Sequence, residues 1–146
     1  MKVSIVIPVY YNQENLIPLY DDIKNKVIDL IDYDYEIVMV NDGSKDKSYD
    51  VMKQLAENDK NIKIVSLSRN FGSHAAILCG LEKCTGDCAV VKAADLQEPT
   101  DLILQMVESW KKGNNVVLAV RKSRDESKQQ TIFANLYYWK NRLYII

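Results

Sequence analysis

The sequence predicts an α/β domain built on a doubly wound, mainly parallel β-sheet with helices on both faces. Along most of the 146 residues, apolar runs rich in Val and Ile alternate with segments of helical period. The runs are apolar on consecutive positions, as expected of strands that are covered on both sides. Because the intervening segments are long enough for helical crossovers, the strands are expected to be parallel and joined by right-handed connections.

Five runs are predicted to be strands because they combine β-branched residues with continuous apolar character. They are VSIVIPV (3–9), YEIVMV (35–40), IKIVSL (62–67), CAVVKA (88–93) and NVVLAV (115–120). Polar or turn-forming residues follow each run and mark the point where the strand is expected to end.

Four segments between these runs are predicted to be helices because their apolar residues recur on one helical face. The faces consist of Leu16, Leu19, Tyr20, Ile23 and Val27; of Val51, Met52 and Leu55; of Ala76, Ile77, Gly80 and Leu81; and of Leu102, Ile103, Met106 and Trp110. Each segment lies between two predicted strands and is therefore expected to be a crossover helix.

Length and composition favour one soluble, cytoplasmic domain. A chain with 47% hydrophobic residues can bury a core of its own, and no apolar run reaches the length of a membrane-spanning helix. A net charge of −1 argues against a nucleic-acid surface, which carries a basic excess.

The three cysteines, Cys79, Cys84 and Cys88, form no CxxC pair, and His74 is the single histidine. Buried, reduced thiols are therefore expected rather than a zinc site.

Polar, turn-forming residues follow the first four predicted strands. The four stretches read PVYYNQEN, NDGSKDKS, SRNFGSH and ADLQEP in chain order. In an open parallel sheet, ligands bind beyond the carboxyl ends of the strands. Asp42, Arg69, Asn70, Asp95 and Gln97 are therefore expected along one edge of the sheet, and this convergence predicts a ligand site there.

The four stretches resemble the successive motifs of family 2 glycosyltransferases with the GT-A fold. The match runs from residue 3 to about residue 125, in order and at the usual spacing, and the RNFG and DLQ-acid-P elements resemble the branch that acts on polyprenyl phosphates. The resemblance implies an inverting glycosyltransferase that takes a UDP- or GDP-sugar donor. It also implies an acceptor such as a polyprenyl phosphate or a glycan precursor.

The resemblance implies a set of donor-binding residues spread over the four loops. They are Pro8, Val9, Tyr10, Asp42, Gly43, Arg69, Asn70, Ala94 and Asp95. The resemblance assigns no catalytic residue within these four loops. The first loop departs from the usual pattern, because Tyr11 and Asn12 stand where relatives commonly have Asn and Glu.

Each of these residues also has a purely structural interpretation. Asp42 can accept hydrogen bonds from a nucleobase or ribose, or it can build a local turn. Arg69 can bind the donor diphosphate, or it can lie on the surface. Tyr10 can line the base pocket or pack in the core. Asp95 can hold a cation, or it can form a turn before the helix that begins near residue 100.

A divalent cation, Mg²⁺ or Mn²⁺, is implied by the same resemblance. The family usually places an Asp-x-Asp motif before Leu-Gln, whereas this chain reads Ala93-Ala94-Asp95, so the first acid is missing. Magnesium is commonly held by one or two carboxylates together with substrate phosphates and waters. Asp95 and the Gln97 carbonyl are therefore expected to complete a metal site only when the donor is bound.

The resemblance divides the chain into a nucleotide-sugar-binding part, residues 1–125, and an amphipathic C-terminal helix, residues 126–146. The second part is expected to begin the acceptor side of a longer enzyme. Membrane contact is expected only of that longer parent, at the cytoplasmic face. The alternative is a non-catalytic nucleotide-binding or interaction domain derived from the same fold, which the alanine at position 93 favours.

Overall fold

The computed structural model describes residues 1–120, which form one four-stranded sheet with helices on both faces. The strands are β1 (Lys2–Val9), β2 (Asp34–Asn41), β3 (Ile62–Ser66) and β4 (Cys88–Val91). The helices are α1 (Leu16–Lys26), α2 (Ser48–Asn58), α3 (Ser73–Lys83) and α4 (Leu102–Lys111), with a short 3-10 turn at Ile28–Leu30. The predicted order of strands and helices is confirmed through α4.

The sheet has the strand order β3-β2-β1-β4, and all of its pairings are parallel. Ile5 of β1 lies opposite Ile37 of β2 on one side and Val90 of β4 on the other. The chain thus winds outward from β1 in both directions, which confirms the doubly wound arrangement. The carboxyl ends of all four strands meet at one edge, and the loops that follow them lie together there.

Two hydrophobic clusters cover the two faces of the sheet. On one face, Ile5 and Ile7 pack with apolar residues of α1, α2 and α4. On the other face, Val6, Val38 and Val40 pack against Ala76 of α3. Strand side chains alternate between the faces, so a run that is apolar on consecutive positions buries residues in both clusters.

The fifth predicted strand is wrong, because residues 115–120 form no strand. Val116, Leu118 and Val120 are 76–79% exposed. A run with high β-propensity becomes a strand only when a neighbouring strand supplies hydrogen-bond partners. Within residues 1–120, β4 pairs only with β1 and no strand pairs with 115–120. The predicted helix at 126–146 lies outside the described residues.

A buried carboxylate ties the strands together at the amino-terminal edge of the sheet. Glu36 is 2% exposed and accepts hydrogen bonds from the Ser4 hydroxyl at 2.6 Å and from Thr85. The ammonium groups of Lys63 and Lys2 lie 2.7 and 3.1 Å from its Oε2 atom. Burial alone would raise the pKa of Glu36, but these donors outweigh it and hold the pKa well below its usual range.

The cysteines are half-buried rather than fully buried, and they form no disulfide with one another. Burial raises the pKa of the Cys84 and Cys88 thiols, which keeps them protonated.

Within residues 1–120, none of the helices combines the length and the apolar composition needed to cross a bilayer.

Candidate functional site

Two adjoining cavities open at the carboxyl edge of the sheet. The inner cavity, of about 300 Å³, is lined by Pro8, Val9, Tyr10, Asn12, Asp42, Asn70, Ser73, Ala93, Ala94 and Asp95. A larger one of about 700 Å³, here called the tyrosine groove, lies beside it and is lined in part by Tyr10, Tyr11 and Tyr49. Tyr10 and Asn70 line both cavities and so form the boundary between them.

Hydrogen bonds between side chains and backbone tie the first loop to the second. The Tyr11 N–H donates to Ser44 Oγ at 3.1 Å, and the Asn12 N–H donates to Ser48 Oγ at 3.0 Å. In the opposite direction, the Lys47 N–H donates to the Gln13 side-chain oxygen at 2.8 Å. These bonds hold the loop after β1 at a fixed distance from the loop after β2.

The backbones of the second and third loops touch at Gly43. A Cβ atom built on this glycine would lie 2.4 Å from the Arg69 carbonyl carbon and 2.5 Å from the Asn70 nitrogen. Gly43 also has a φ of +69°, in the left-handed region that glycine adopts without strain. Glycine is therefore required here both by the close approach and by the turn.

Asp42 fixes the third loop. Its side chain is 2% exposed, and its two carboxylate oxygens accept hydrogen bonds from the Phe71 N–H at 2.7 Å and the Gly72 N–H at 3.0 Å. Gly72 is the residue that leads into α3, so the carboxylate binds two backbone N–H groups directly before this helix. Asp42 lines the inner cavity while it orders the loop that contains Arg69 and Asn70.

Arg69 lies on the other side of this loop, toward the tyrosine groove. Its guanidinium carbon is 4.8 Å from the centre of the Phe71 ring, a cation–π contact that restrains an otherwise exposed side chain. Arg69 and Lys45 are the cations among the residues lining the groove, and none of the lining residues is acidic. The groove therefore favours an anionic or aromatic ligand over a cationic one.

The fourth loop turns sharply at Asp95. The Asp95 Oδ1 atom accepts a hydrogen bond from the Gln97 N–H at 3.1 Å, and Leu96 between them has a φ of +59°. Lys92, which is 3% exposed, holds the end of the loop by donating to the Glu98 carbonyl at 2.9 Å. A non-glycine residue in the left-handed region is strained, and such strain is common at ligand sites.

The described residues do not form a complete metal site by themselves. No group of three or more His, Cys, Asp or Glu side chains suited to a metal occurs within residues 1–120. Of the two acids that line the inner cavity, Asp42 already has both oxygens bonded to backbone N–H groups, and Asp95 is exposed. Asp95 is therefore the one exposed carboxylate among the residues that line this cavity.

The structure brings most of the residues named from the sequence into one place. Pro8, Val9, Tyr10, Asp42, Asn70, Ala94 and Asp95 all line the inner cavity. Gly43 and Arg69 line the tyrosine groove instead, and Gln97 is exposed and lines neither cavity. Tyr10 is 47% exposed, which excludes the core interpretation of this ring.

Sequence reasoning missed the residues that connect the loops. Ser44 and Ser48 accept the cross-loop hydrogen bonds, while Asn12 and Ser73 add polar groups to the inner cavity. Their only sequence signal is the density of Ser and Asn after each strand, which indicates turns but does not identify partners.

Comparison with known proteins identifies the family. The chain matches the family described as glycosyl transferase family 2 over residues 4–145. It belongs to this family. Among family 2 relatives, YkcC of Bacillus subtilis (strain 168), named an uncharacterized glycosyltransferase, is 42% identical over 91% of this chain and 40% of its own length. The bactoprenol glucosyl transferase of Shigella phage SfX is 39% identical over 85% of this chain and 40% of its own length.

The chain thus spans about 40% of the length of the curated family 2 relatives that it matches.

Solved structures show that the fold is that of GT-A glycosyltransferases. The mannosyltransferase PcManGT of Pyrobaculum calidifontis, in complex with GDP-Man and Mn²⁺, superposes with a TM-score of 0.66 at 23% identity, over 84% of this chain and 36% of that one. TarS 1–349 of S. aureus with UDP-GlcNAc has a TM-score of 0.63 at 18% identity, over 84% of this chain and 39% of that one.

Proposed function

We propose that this chain is the donor-binding part of a glycosyltransferase and that it binds a UDP- or GDP-sugar at the carboxyl edge of its sheet. The observation that carries the proposal is the inner cavity, where residues from all four loops of a family 2 member converge. Open parallel sheets bind ligands at this edge. The cavity offers a flat ring from Tyr10, polar groups from Asn12 and Asn70, and the carboxylate of Asp95.

The proposed residues divide into those that contact the donor and those that hold the loops. Tyr10, Asn70 and Asp95 are expected to contact the donor, because they are exposed and line the inner cavity. Arg69 is expected to reach the donor from the tyrosine groove and to contribute its guanidinium to a phosphate or a base. Asp42 and Gly43 set the position of the loop that carries Arg69 and Asn70.

A divalent cation, Mg²⁺ or Mn²⁺, is proposed to bind together with the donor. Such a cation neutralises the charge that develops on the diphosphate leaving group. Asp95, with the Gln97 carbonyl, would hold it on the protein side, and the donor phosphates would supply the remaining ligands. Support comes from the exposed carboxylate of Asp95 in the inner cavity and from the Mn²⁺ complex of the structurally similar mannosyltransferase.

The proposed acceptor is a polyprenyl phosphate. Several relatives are named bactoprenol glucosyl transferases, and the RNFG and DLQEP elements resemble the same branch. A lipid acceptor would place a longer parent protein at the cytoplasmic face of a membrane.

Calorimetric titration tests the donor proposal. The chain is titrated with UDP, GDP, ADP and CDP, with manganese and with a chelator, and Tyr10→Leu is measured beside it. We expect UDP or GDP to bind more tightly than the others and Tyr10→Leu to weaken that binding. If no nucleoside diphosphate binds the folded native chain under either condition, the proposal is wrong, and the non-catalytic interaction domain becomes the better interpretation.

A further inference from the structure

Tyr11 has a strained backbone in an exposed position. Its φ of +55° lies in the left-handed region, where only Tyr11 and Leu96 occur among the non-glycine residues of 1–120. Bulky side chains rarely adopt this conformation, whereas Gly, Asn and Asp adopt it readily. Tyr11 is 49% exposed, so burial in the core does not offset the strain.

Three hydrogen bonds impose this conformation. The Tyr11 N–H donates to Ser44 Oγ at 3.1 Å, and the Tyr10 N–H donates to the Asn12 side-chain oxygen at 3.0 Å. The Asn12 N–H in turn donates to Ser48 Oγ at 3.0 Å. A strained residue persists where its surroundings determine its backbone in this way. These bonds involve backbone N–H groups, so they require the turn but not the aromatic ring of residue 11.

The ring of Tyr11 forms an aromatic pair with the ring of Tyr10. Its centre lies 4.6 Å from the centre of the Tyr10 ring, and the two planes meet at 89°, the edge-to-face geometry that aromatic pairs prefer. Tyr10 remains 47% exposed, so the contact restrains this ring and leaves part of its surface open. Both rings line the tyrosine groove, and Tyr10 also lines the inner cavity.

We propose that Tyr11 is a positioning residue for nucleobase recognition, because its ring holds Tyr10 in the orientation in which it stacks against the base. This inference rests on the proposed donor site. A free tyrosine side chain samples several rotamers, and a ring fixed before the ligand arrives loses less entropy on binding. With residue 11 in this left-handed conformation, its aromatic ring lies edge to face against the ring of Tyr10.

The test separates the ring of Tyr11 from the turn that it occupies. Tyr11→Asn removes the ring but suits the left-handed backbone, whereas Tyr11→Phe keeps the ring and removes only the hydroxyl. Each variant is titrated with UDP and GDP and with inorganic diphosphate, which has no base. Urea unfolding is measured on the same samples. The same substitutions are then made in the Tyr10→Leu background.

We expect Tyr11→Asn to weaken binding of the preferred nucleoside diphosphate by about 3- to 10-fold, the size of one aromatic pair. Binding of inorganic diphosphate should stay within about twofold of native, and the urea midpoint should be unchanged or higher because strain is relieved. Tyr11→Phe should bind as the native chain does. In the Tyr10→Leu background, Tyr11→Asn should have no further effect on affinity.

These measurements distinguish failure of the inference about Tyr11 from failure of the donor site. If the native chain binds a nucleoside diphosphate and Tyr10→Leu weakens it, but Tyr11→Asn binds as tightly as native, the role of Tyr11 is wrong and the donor site stands. The same conclusion follows if Tyr11→Asn weakens base-free diphosphate equally or lowers the urea midpoint in parallel. If neither the native chain nor Tyr11→Phe binds any nucleoside diphosphate, the donor site itself is wrong, and this inference falls with it.

Discussion

The Asp42 Oδ1 atom accepts a hydrogen bond from the Phe71 N–H at 2.7 Å, across 29 residues of sequence. Its second oxygen accepts the Gly72 N–H at 3.0 Å, so one buried carboxylate holds the whole turn that leads into α3. A carboxylate can accept about four hydrogen bonds, so these two do not saturate it, but Asp42 is only 2% exposed and offers a ligand little accessible surface. The structure therefore favours an indirect effect of Asp42 on the donor, through the loop that carries Arg69 and Asn70.

The Asp42→Asn variant tests this role. An amide keeps the shape but presents an NH₂ group to one of two backbone donors, so one N–H loses its acceptor. We expect the free energy of unfolding to fall by about 1–3 kcal/mol, together with weaker binding of nucleoside diphosphate. Urea unfolding and calorimetric titration measure the two effects.

Asp46→Asn is the matched control for Asp42→Asn. Asp46 also lies after β2 and accepts a backbone N–H, that of Ser48 at 3.1 Å, but its bond stays within its own loop. It should lower stability less and leave nucleotide affinity near the native value. Native stability in Asp42→Asn would show that the bonds to Phe71 and Gly72 do not hold the loop.

The Gly43→Ala variant tests the close approach of the second and third loops. The added methyl carbon would lie 2.4 Å from the Arg69 carbonyl carbon and 2.5 Å from the Asn70 nitrogen. The alanine would also have to adopt a φ of +69°. Because neither neighbour is a flexible side chain, we expect a loss of stability greater than the roughly 1–3 kcal/mol of left-handed strain alone. Thermal and urea unfolding measure it.

Gly113→Ala supplies the comparison for Gly43→Ala. Gly113 has a φ of +97°, yet a Cβ atom there would meet no atom of residues 1–120 within 4 Å. The loss of stability in Gly113→Ala therefore measures the backbone strain of a left-handed alanine without a steric clash. Equal losses in the two variants would mean that the second and third loops can separate at little cost.

Sequence reasoning predicted the elements whose signal is local. The periodicity of residues 3–9 and 16–27 gives β1 and α1, and the rule for parallel sheets places Tyr10 and Asp95 at the same edge. Residues 115–120 show where this reasoning fails, because a strand depends on a partner that its own sequence does not specify.

The contacts within the site could not be predicted for a related reason. The bonds of Asp42 to Phe71 and Gly72 join two loops that are separated in sequence by α2 and β3. Because many residues in the turns have the same hydrogen-bonding groups, the sequence does not indicate which of them pair. The left-handed φ of Tyr11 runs against the preference of its side chain, so its sequence predicts another conformation. The fold follows from repeated local patterns, whereas the site depends on single long-range contacts.

The buried carboxylate of Glu36 predicts a dependence of stability on acid. Its folded pKa is held well below the unfolded value of about 4.3, so its contribution is fully present above that value. The contribution is lost as the pH falls from about 4.3 toward the folded pKa. We expect Glu36→Gln to lower the free energy of unfolding by about 1–3 kcal/mol at pH 7, and the difference from native to shrink below pH 4.

Glu108→Gln is the control for the pH series. Glu108 is 59% exposed and pairs with Lys111 on the surface of α4, so its removal should change stability by less than about 0.5 kcal/mol. Unfolding free energies of all three proteins are measured from pH 7 to pH 3. A Glu36→Gln deficit that stays constant over this range would contradict the assigned ionisation.

The last prediction concerns Asp95 and the cation. If the donor completes the metal site, manganese and nucleoside diphosphate should each raise the affinity of the other by the same factor. Asp95→Asn keeps the turn-forming shape but removes the charge, so this coupling should vanish while the fold persists. Asp101→Asn is the control, because Asp101 is an exposed acid of the same loop that lines neither cavity. Titrations with manganese and with chelator measure the coupling.

Ala93→Asp tests the same site by gain of function. Ala93 and Asp95 both line the inner cavity, so a carboxylate at position 93 would enter the space that the cation is proposed to occupy. Two carboxylates should bind manganese without nucleotide, since the second replaces part of the phosphate contribution. We therefore expect metal affinity in the absence of donor to rise and the factor by which donor increases it to fall. If the native chain shows no coupling and Ala93→Asp gains no metal affinity, Asp95 only forms the turn before α4, and the donor binds without a cation held by this loop.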